Sequence, residues 1–544
     1  MSYLKQRPNV RFSITASNSD TRYYAYGEDI QLTATPASDD FAFLNWTENG
    51  NVVSSSNPYT IQDIAAAHTL TANFTMRYKR FVTDGRWDVA NNWSPVGVPS
   101  INDDVAIEAA AVIPTGVTGY ANNIRQITHA NGSITIEDGG QLWHNNASNN
   151  KVTMTVENDI TGYTVDDQYT NKGYELLSFP VDNLTAGSNA ITGAFTQDPF
   201  DFYRFDASED PLEWIPMTGT DNISLLQGFI YASQNGTTVS VTGPVMSSAE
   251  PVNSETVPYV AENGPRFNGW ALLGNPFVCN AYVSAKNNGE VNFYKLNHTD
   301  DYDEFVPFTN GDAVTPMGGV MFQVDADNAI TYSRTQSSGS KTGILNMDVN
   351  RASVRGTATL DRARVRFGEG RNLEKFQFDT RHTKIYIPEG SNDYSVYYAQ
   401  GAGTIPVNFK AQDNGRYTLD FSTEDVGFSY LHLIDNMNGN DVDLLKTPHY
   451  TFDAKSTDFA SRFTLVFATG NDNDDTFAFF SNGVWIINND GDATLQVVDA
   501  LGRVLSSESI SGSTSKAINV APGVYMLRLI NGDKAKVQKI VVKR

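Results

Sequence analysis

Ser133-Ile134-Thr135-Ile136-Glu137-Asp138-Gly139-Gly140-Gln141-Leu142 is the stretch whose reading decides the fold class. Ile134 and Ile136 alternate with Thr135 and Glu137, which gives an extended segment one apolar and one polar face. Asp138-Gly139 then supplies residues that tolerate positive φ in a tight turn, and apolar character resumes at Leu142. The same pattern recurs along the chain: Val152, Met154 and Val156 alternate with Thr153 and Thr155, and Tyr525, Leu527 and Leu529 with Met526 and Arg528. Asn131-Gly132, Asn235-Gly236, Asn310-Gly311, Asn414-Gly415 and Asn531-Gly532 punctuate these runs as turns. Helical spacing is suggested only at Ile64-Ala65-Ala66-Ala67, and only briefly. The chain reads as all-β.

Composition bounds the partners. The 544 residues predict roughly three or four domains. Lys and Arg total 39 against 62 Asp and Glu, a net charge of −23. Nucleic acid is therefore not an expected partner, because phosphate binding needs cations to displace counterions; an anionic lipid surface is disfavoured for the same reason. The single cysteine, Cys279, allows no intramolecular disulfide and no cysteine-based zinc site. It follows Asn275-Pro276-Phe277-Val278, an apolar setting that keeps a thiol protonated. No apolar run is long enough for a membrane-spanning helix.

Residues 1–76 form a first module. Tyr26-Gly27-Glu28-Asp29-Ile30-Gln31-Leu32-Thr33-Ala34, then Phe41 to Trp46, then Leu70-Thr71-Ala72-Asn73-Phe74 resemble the internalin B-repeat of bacterial surface proteins. That resemblance implies a β-grasp-like spacer or adhesive module with a buried Trp46. In 77–170, short apolar runs with Gly or Asn at the corners suit a few stacked solenoid coils. The segment resembles the short right-handed β-helices of Bacteroidetes surface proteins. Asp103 and Asp104 carry the oxygen ligands Ca²⁺ takes, but the spaced carboxylates of a calcium loop are missing, so they read as turn caps.

A duplication follows. Leu176-Leu177-Ser178-Phe179-Pro180 returns as Leu272-Leu273-Gly274-Asn275-Pro276, and Phe202-Tyr203-Arg204 as Phe293-Tyr294-Lys295. Trp214-Ile215-Pro216 returns as Phe305-Val306-Pro307, and Gly228-Phe229-Ile230-Tyr231 as Gly319-Val320-Met321-Phe322. Residues 171–250 and 251–340 are thus two copies of one sandwich-like unit. Acidic loops occupy equivalent places, with Asp206, Glu209 and Asp210 in one copy and Asp300, Asp301, Asp303 and Glu304 in the other. They read as solvated hairpin tips. Residues 341–470, from Arg362-Ala363-Arg364-Val365-Arg366-Phe367 to Arg462-Phe463-Thr464-Leu465-Val466-Phe467, resemble a β-sandwich module that precedes the terminal domain of exported Bacteroidetes proteins. Asp435, Asp441 and Asp443 flank its Gly439 turn and read as structural.

The last unit, 471–544, opens with the acidic linker Asn471-Asp472-Asn473-Asp474-Asp475. Val497-Val498-Asp499-Ala500-Leu501-Gly502-Arg503, then Ala521-Pro522-Gly523-Val524-Tyr525, then Lys536 to Arg544 resemble the C-terminal sorting domain of the Bacteroidetes type IX secretion system. The usual Pro-Asn-Pro at the entry is absent; Phe480-Ser481-Asn482-Gly483 stands there. The residues that carry this resemblance are Asp499, Gly502, Arg503, Pro522, Gly523, Tyr525, Lys539 and Lys543. Asp499–Arg503 reads as a hairpin turn, and Gly502 and Gly523 as glycines in a conformation barred to other residues. Arg528, Lys534, Lys536, Lys539, Lys543 and Arg544 against Asp533 alone make the closing hairpin a basic handle on an acidic protein. The family implies an Ig-like sandwich, recognition by outer-membrane translocation and attachment machinery, removal of the tail within 469–476 and transfer to surface lipopolysaccharide. Met1 to Pro8 lack the apolar stretch of a secretory signal. Beside such a tail, this predicts a truncated chain or a fragment of a larger protein.

The seven histidines are scattered, and no His-Glu-x-x-His pair, Gly-x-Ser-x-Gly elbow or phosphate-binding glycine loop occurs. The expectation is an extracellular, surface-attached structural or adhesion protein without catalytic residues, cofactor or metal, meeting a host surface or glycan. The alternative is the non-catalytic C-terminal region of a secreted peptidase or glycan-degrading hydrolase, with glycan binding open to either. The fold expected is a multidomain array: a β-grasp-like repeat, a short solenoid, duplicated sandwich-like units and a terminal Ig-like sandwich.

Overall fold

The computed structural model describes residues 9–542 apart from 16–19, 39, 126–131, 163–172, 196–198, 210–211, 261–266, 286–290, 299–302, 310–311, 325–327, 337–341, 354–355, 377–381, 471–476, 482–483 and 490. Among these residues there is no α-helix, only a single 3₁₀ turn at Ala90–Asn92. The chain divides into two units, Met1–Met154 and Thr155–Arg544.

In the first unit, Asn9–Thr15 runs parallel to His68–Met76, which pairs in turn with Phe41–Glu48. Trp46 is buried against Ile30, Leu32, Ile64 and Leu70, with the Phe43 ring 5.6 Å away. Ile64 is not helical: it fills this core while its amide donates to the Glu28 carbonyl at 3.0 Å. The solenoid coils stack through parallel ladders. Val105–Ile107 lies between Lys79–Phe81 and Ile124–Arg125; Ala110–Ile113 lies between Gly85–Arg86 and Ser133–Ile136; Thr118–Ala121 pairs with Gln141–His144. Ala111 therefore sits beside Ile134 and Ile113 beside Ile136, all buried. Alternation in each run fills the coil interior, and stacking completes it. Gly119 is required by close approach, since a Cβ there would meet Ile113 Cδ1 at 3.0 Å and Leu142 Cδ1 at 3.1 Å. Phe81, Trp87 and Trp93 pack together, with Trp93 Nε1 donating to the Trp87 carbonyl.

In the second unit the duplication is explicit. Tyr174–Ser178, Gly228–Ser233, Phe200–Phe205 and Trp214–Pro216 form a sheet in that order; Trp270–Gly274, Gly319–Gln323, Asn292–His298 and Asp303–Thr309 repeat it. The copies meet through equivalent backbone groups. Leu177 bridges Gly318, and its counterpart Leu273 bridges Gln227. The Ser178 amide donates to the Met317 carbonyl at 2.7 Å, and the Gly274 amide to that of Leu226 at 2.8 Å. Leu226 and Met317 both hold positive φ, 69° and 55°, a conformation unusual for such side chains. The pair is related by a pseudo-two-fold. The strand Val152–Ile160, assigned by sequence to the 77–170 segment, lies beside Thr237–Val245 of the first copy, with Thr238 Oγ1 donating to Asp159 at 2.6 Å. It takes the place that Val252–Asn253 holds beside Ile330–Ser333 in the second copy.

The 341–470 module is one continuous eleven-stranded sheet that folds over a shared core of Leu345, Val365, Ile385, Val407, Leu433 and Phe463. It is wedged into the second copy by Phe376, whose ring centroid lies 4.8 Å from those of Trp270 and Phe305.

Candidate functional site

The terminal domain is the site the sequence singles out. Its strands close on themselves: Val504–Ser511, Asp492–Asp499, Gly523–Asn531 and Lys534–Val542 form one sheet, and Ala478–Ser481, Val484–Ile487 and Thr514–Lys516 the other. Among the described residues none of these strands joins the preceding sheet. Leu495, Val497, Leu527, Leu529 and Ile540 face Ala478, Trp485 and Ile487 across a single core. This is a sandwich of four strands on three, and alternation along Tyr525–Leu529 is what sends Leu527 and Leu529 inward.

The Asp499–Arg503 turn is closed by one side chain. Asp499 Oδ1 accepts the amides of Leu501 and Arg503, each at 2.9 Å, and Oδ2 accepts Arg503 Nε at 2.7 Å. The Arg503 amide foremost, with its guanidinium and the Leu501 amide, holds the Asp499 carboxyl below the usual range. Gly502 takes φ +82°, the left-handed turn position. Tyr525 donates its hydroxyl to the Ala521 carbonyl at 2.7 Å, tying the exposed Pro522 loop to its strand in the manner of a tyrosine corner. Gly523 corrects the sequence expectation: its φ is not positive, and it pairs with Val542 as ordinary strand. A Cβ there would touch the Tyr525 ring at 3.4 Å, a normal contact. The chain bends at Pro522, and Gly523 already opens the strand that follows.

The basic handle also changes character. Val541 opposes Val524, Lys539 opposes Met526 and Val537 opposes Arg528, all on the outward face of the four-stranded sheet. Val524, Val537 and Val541 are about half exposed. Lys534 and Lys536 fall on the other side of the strand, and Lys543 lies outside the described residues. On the last two strands the outward face is valine-rich with two cations, not a uniformly basic edge.

Two contacts were not readable from sequence. Gln538 Oε1 accepts the amides of Phe477 and Ala478 at 2.8 and 2.7 Å, fastening the entry strand to the last one. Ile486, pointing away from the core that Trp485 and Ile487 fill, packs on Tyr430, Val466 and Ala468 of the preceding module. The terminal domain is thus a separate fold that is nonetheless docked.

Elsewhere most of the carboxylates that sequence left open have partners, whereas Glu209 stands exposed as a hairpin-tip residue. Asp103 accepts the amide and hydroxyl of Ser100, and Asp104 accepts Asn122 and Asn123, as turn caps. Asp206 caps Ser208 and binds Arg204. Asp303 and Glu304 are not solvated tips: both are buried. Asp303 binds His298 Nδ1 at 2.9 Å, and Glu304 binds His382 Nδ1 at 2.7 Å, so imidazoles make their burial tolerable. Asp210, Asp300 and Asp301 lie outside the described residues. Burial opposes the charge of His298, but the hydrogen bonds and charges of Asp303 and Glu175 outweigh it and raise the imidazole to about 10. Asp435 is buried with Arg462, whose Nη2 lies 2.9 Å away; Asp441 binds His432 and Asp443 binds Lys446. Burial pushes the Cys279 thiol up to about 12. Among the described residues, no cluster of three or more acidic, histidine or cysteine side chains is arranged to hold a metal.

Comparison with known families agrees with both ends of the chain. Residues 481–543 match the secretion system C-terminal sorting domain, and residues 12–77 the divergent InlB B-repeat domain. No curated protein shows significant similarity. Among solved structures, a biofilm-associated protein BSP domain aligns at 10% identity over 71% of this chain and 61% of that one, with a TM-score of 0.14.

Proposed function

We infer that this chain, a type IX secretion cargo by its sorting domain, is a non-enzymatic structural or adhesion protein held on the outer bacterial surface. The observation that carries the reading is that the matched sorting domain closes on its own core in its own sheets, as a recognition element handed to other machinery must. Its outward face, valines flanked by Lys539 and Arg528, is the surface we assign to the translocation machinery, since an apolar patch with charged neighbours is what a specific interface uses. Transfer to a lipopolysaccharide anchor would follow release from that machinery. The InlB-type repeat and the solenoid then serve as spacer modules built from paired and stacked strands.

The test is surface display in a type IX-competent bacterium of this chain placed behind an inner-membrane signal peptide, with and without residues 471–544. Protease shaving of intact cells should remove the full chain and leave the shortened one protected inside. Display of the shortened chain overturns the reading. Charge reversal at Lys539 and Arg528 together should slow export while the purified protein keeps its melting behaviour.

A further inference from the structure

The 341–470 module carries an open groove of about 680 Å³ that no part of the reading above uses. Its position follows from the fold. Gly356–Phe367 ends at its rim, the loop 368–372 forms one wall, and Asn392–Ala399 crosses its floor. That wall is fixed: Gly370 lies against the Tyr398 ring so closely that a Cβ would fall 2.0 Å from Cε1. Asn372 Oδ1 accepts the Tyr398 amide at 2.8 Å, which ties the loop to the floor strand. Glu389 joins that wall: its Oε2 accepts Asn372 Nδ2 at 3.4 Å and its Oε1 accepts the Tyr397 hydroxyl at 3.0 Å. Tyr394 lies beside Tyr397, with ring centroids 6.4 Å apart.

We propose that this groove binds a carbohydrate chain. Tyr394 and Tyr397 give partly exposed aromatic surface, on which the apolar face of a sugar ring can lie. A sugar hydroxyl donates and accepts at once, so a site for it needs both kinds of partner within reach. Glu369, Glu374 and Glu389 supply acceptors, whereas Arg371, Asn372 and Gln400 supply donors. A site built for a bare cation would need acceptors and aromatic faces alone, and the donors here argue against it. The volume lies within the usual range for ligand sites, about 300–1,000 Å³. Being open at its ends, the groove suits a chain more than a single monosaccharide.

This goes beyond the export reading and is independent of it, because binding is measured on the purified full chain wherever that chain is delivered. The probes are cellohexaose, maltohexaose, chitohexaose and a mannan hexasaccharide, with trilysine as the cationic competitor, each titrated by calorimetry. At least one hexasaccharide should bind with a Kd below about 1 mM. Tyr394→Ala and Glu389→Gln should each weaken it tenfold or more without moving the melting temperature. Glu508→Gln, far from the groove on the terminal domain, should leave it unchanged. Absence of binding to all four sugars, binding indifferent to both groove substitutions, or preference for trilysine would overturn the proposal.

Discussion

Replacing Gly274 by Ala tests whether the two copies of the duplicated unit meet as described. An ideal Cβ at Gly274 would lie 2.0 Å from Ser178 Cβ, 2.8 Å from Ser178 Oγ and 3.0 Å from the Gln227 carbonyl. Carbons rest at about 3.5–4.0 Å, so roughly 1.5 Å must be opened between two backbones that hydrogen bonds hold together. Overpacking costs about 1–3 kcal/mol. The upper end applies here, because Ser178 is buried and its Cβ cannot rotate away. About 3 kcal/mol corresponds to roughly a hundredfold loss in the local folding equilibrium. A chain of this size does not unfold in one step, so the readout is hydrogen exchange in Tyr174–Ser178 and Trp270–Gly274, with the terminal sandwich as internal reference. Ser178 is the counterpart of Gly274 in the first copy, and Ser178→Gly removes the atom that clashes. It also forfeits the Ser178 Oγ bonds to Gly318 and Asn275, about 1 kcal/mol. The double variant should therefore be more protected than Gly274→Ala alone, a coupling of about 1–3 kcal/mol. Wild-type protection in Gly274→Ala, or strictly additive losses in the double variant, would refute the pseudo-two-fold contact.

Three further outcomes follow from named contacts. Ile486→Ser removes the apolar anchor between the terminal domain and Tyr430, worth about 1.5–3 kcal/mol; protease should then cut within 471–476 faster while the terminal core keeps its exchange protection, and unchanged cutting would count against docking. Arg462→Met leaves Asp435 buried beside Tyr450 without its cation and should cost about 3–5 kcal/mol in denaturant titration, with Asp435→Asn added to it costing little more. His298 is held protonated in the folded chain, from 6.5 up to about 10, so its contribution is complete below pH 6.5 and disappears as pH rises through 10; the melting gap between wild type and His298→Gln should narrow across that window, and a constant gap would show that the imidazole acts by packing alone.

What was legible in the sequence had a local cause. The Gly502 turn is set by Asp499 and Arg503 within five residues, and the alternating runs carry their inward faces with them. Contacts fixed by topology left no such mark. In the sequence Glu304 reads as a solvated tip because a carboxylate without a visible partner normally stays in water; its partner, His382, is 78 positions further on and arrives only because the 341–470 module wedges into the second copy. Asp361 and Lys375 likewise form a buried pair whose members are unremarkable in sequence. The duplication lies between these cases. It told which residues are equivalent, Ser178 with Gly274 and Gly228 with Gly319, without telling that the two copies would face each other there. Yet the exchange of hydrogen bonds across the pair needs that equivalence: each copy offers a carbonyl held at positive φ, Leu226 or Met317, and each receives one at the end of its own Leu-Leu strand. A strained residue survives only where its surroundings over-determine it, and here the surroundings are the other copy. The repeat is therefore a self-complementary pair, and this explains why a small residue must stand at one of the two facing positions, where Gly274 leaves room for Ser178.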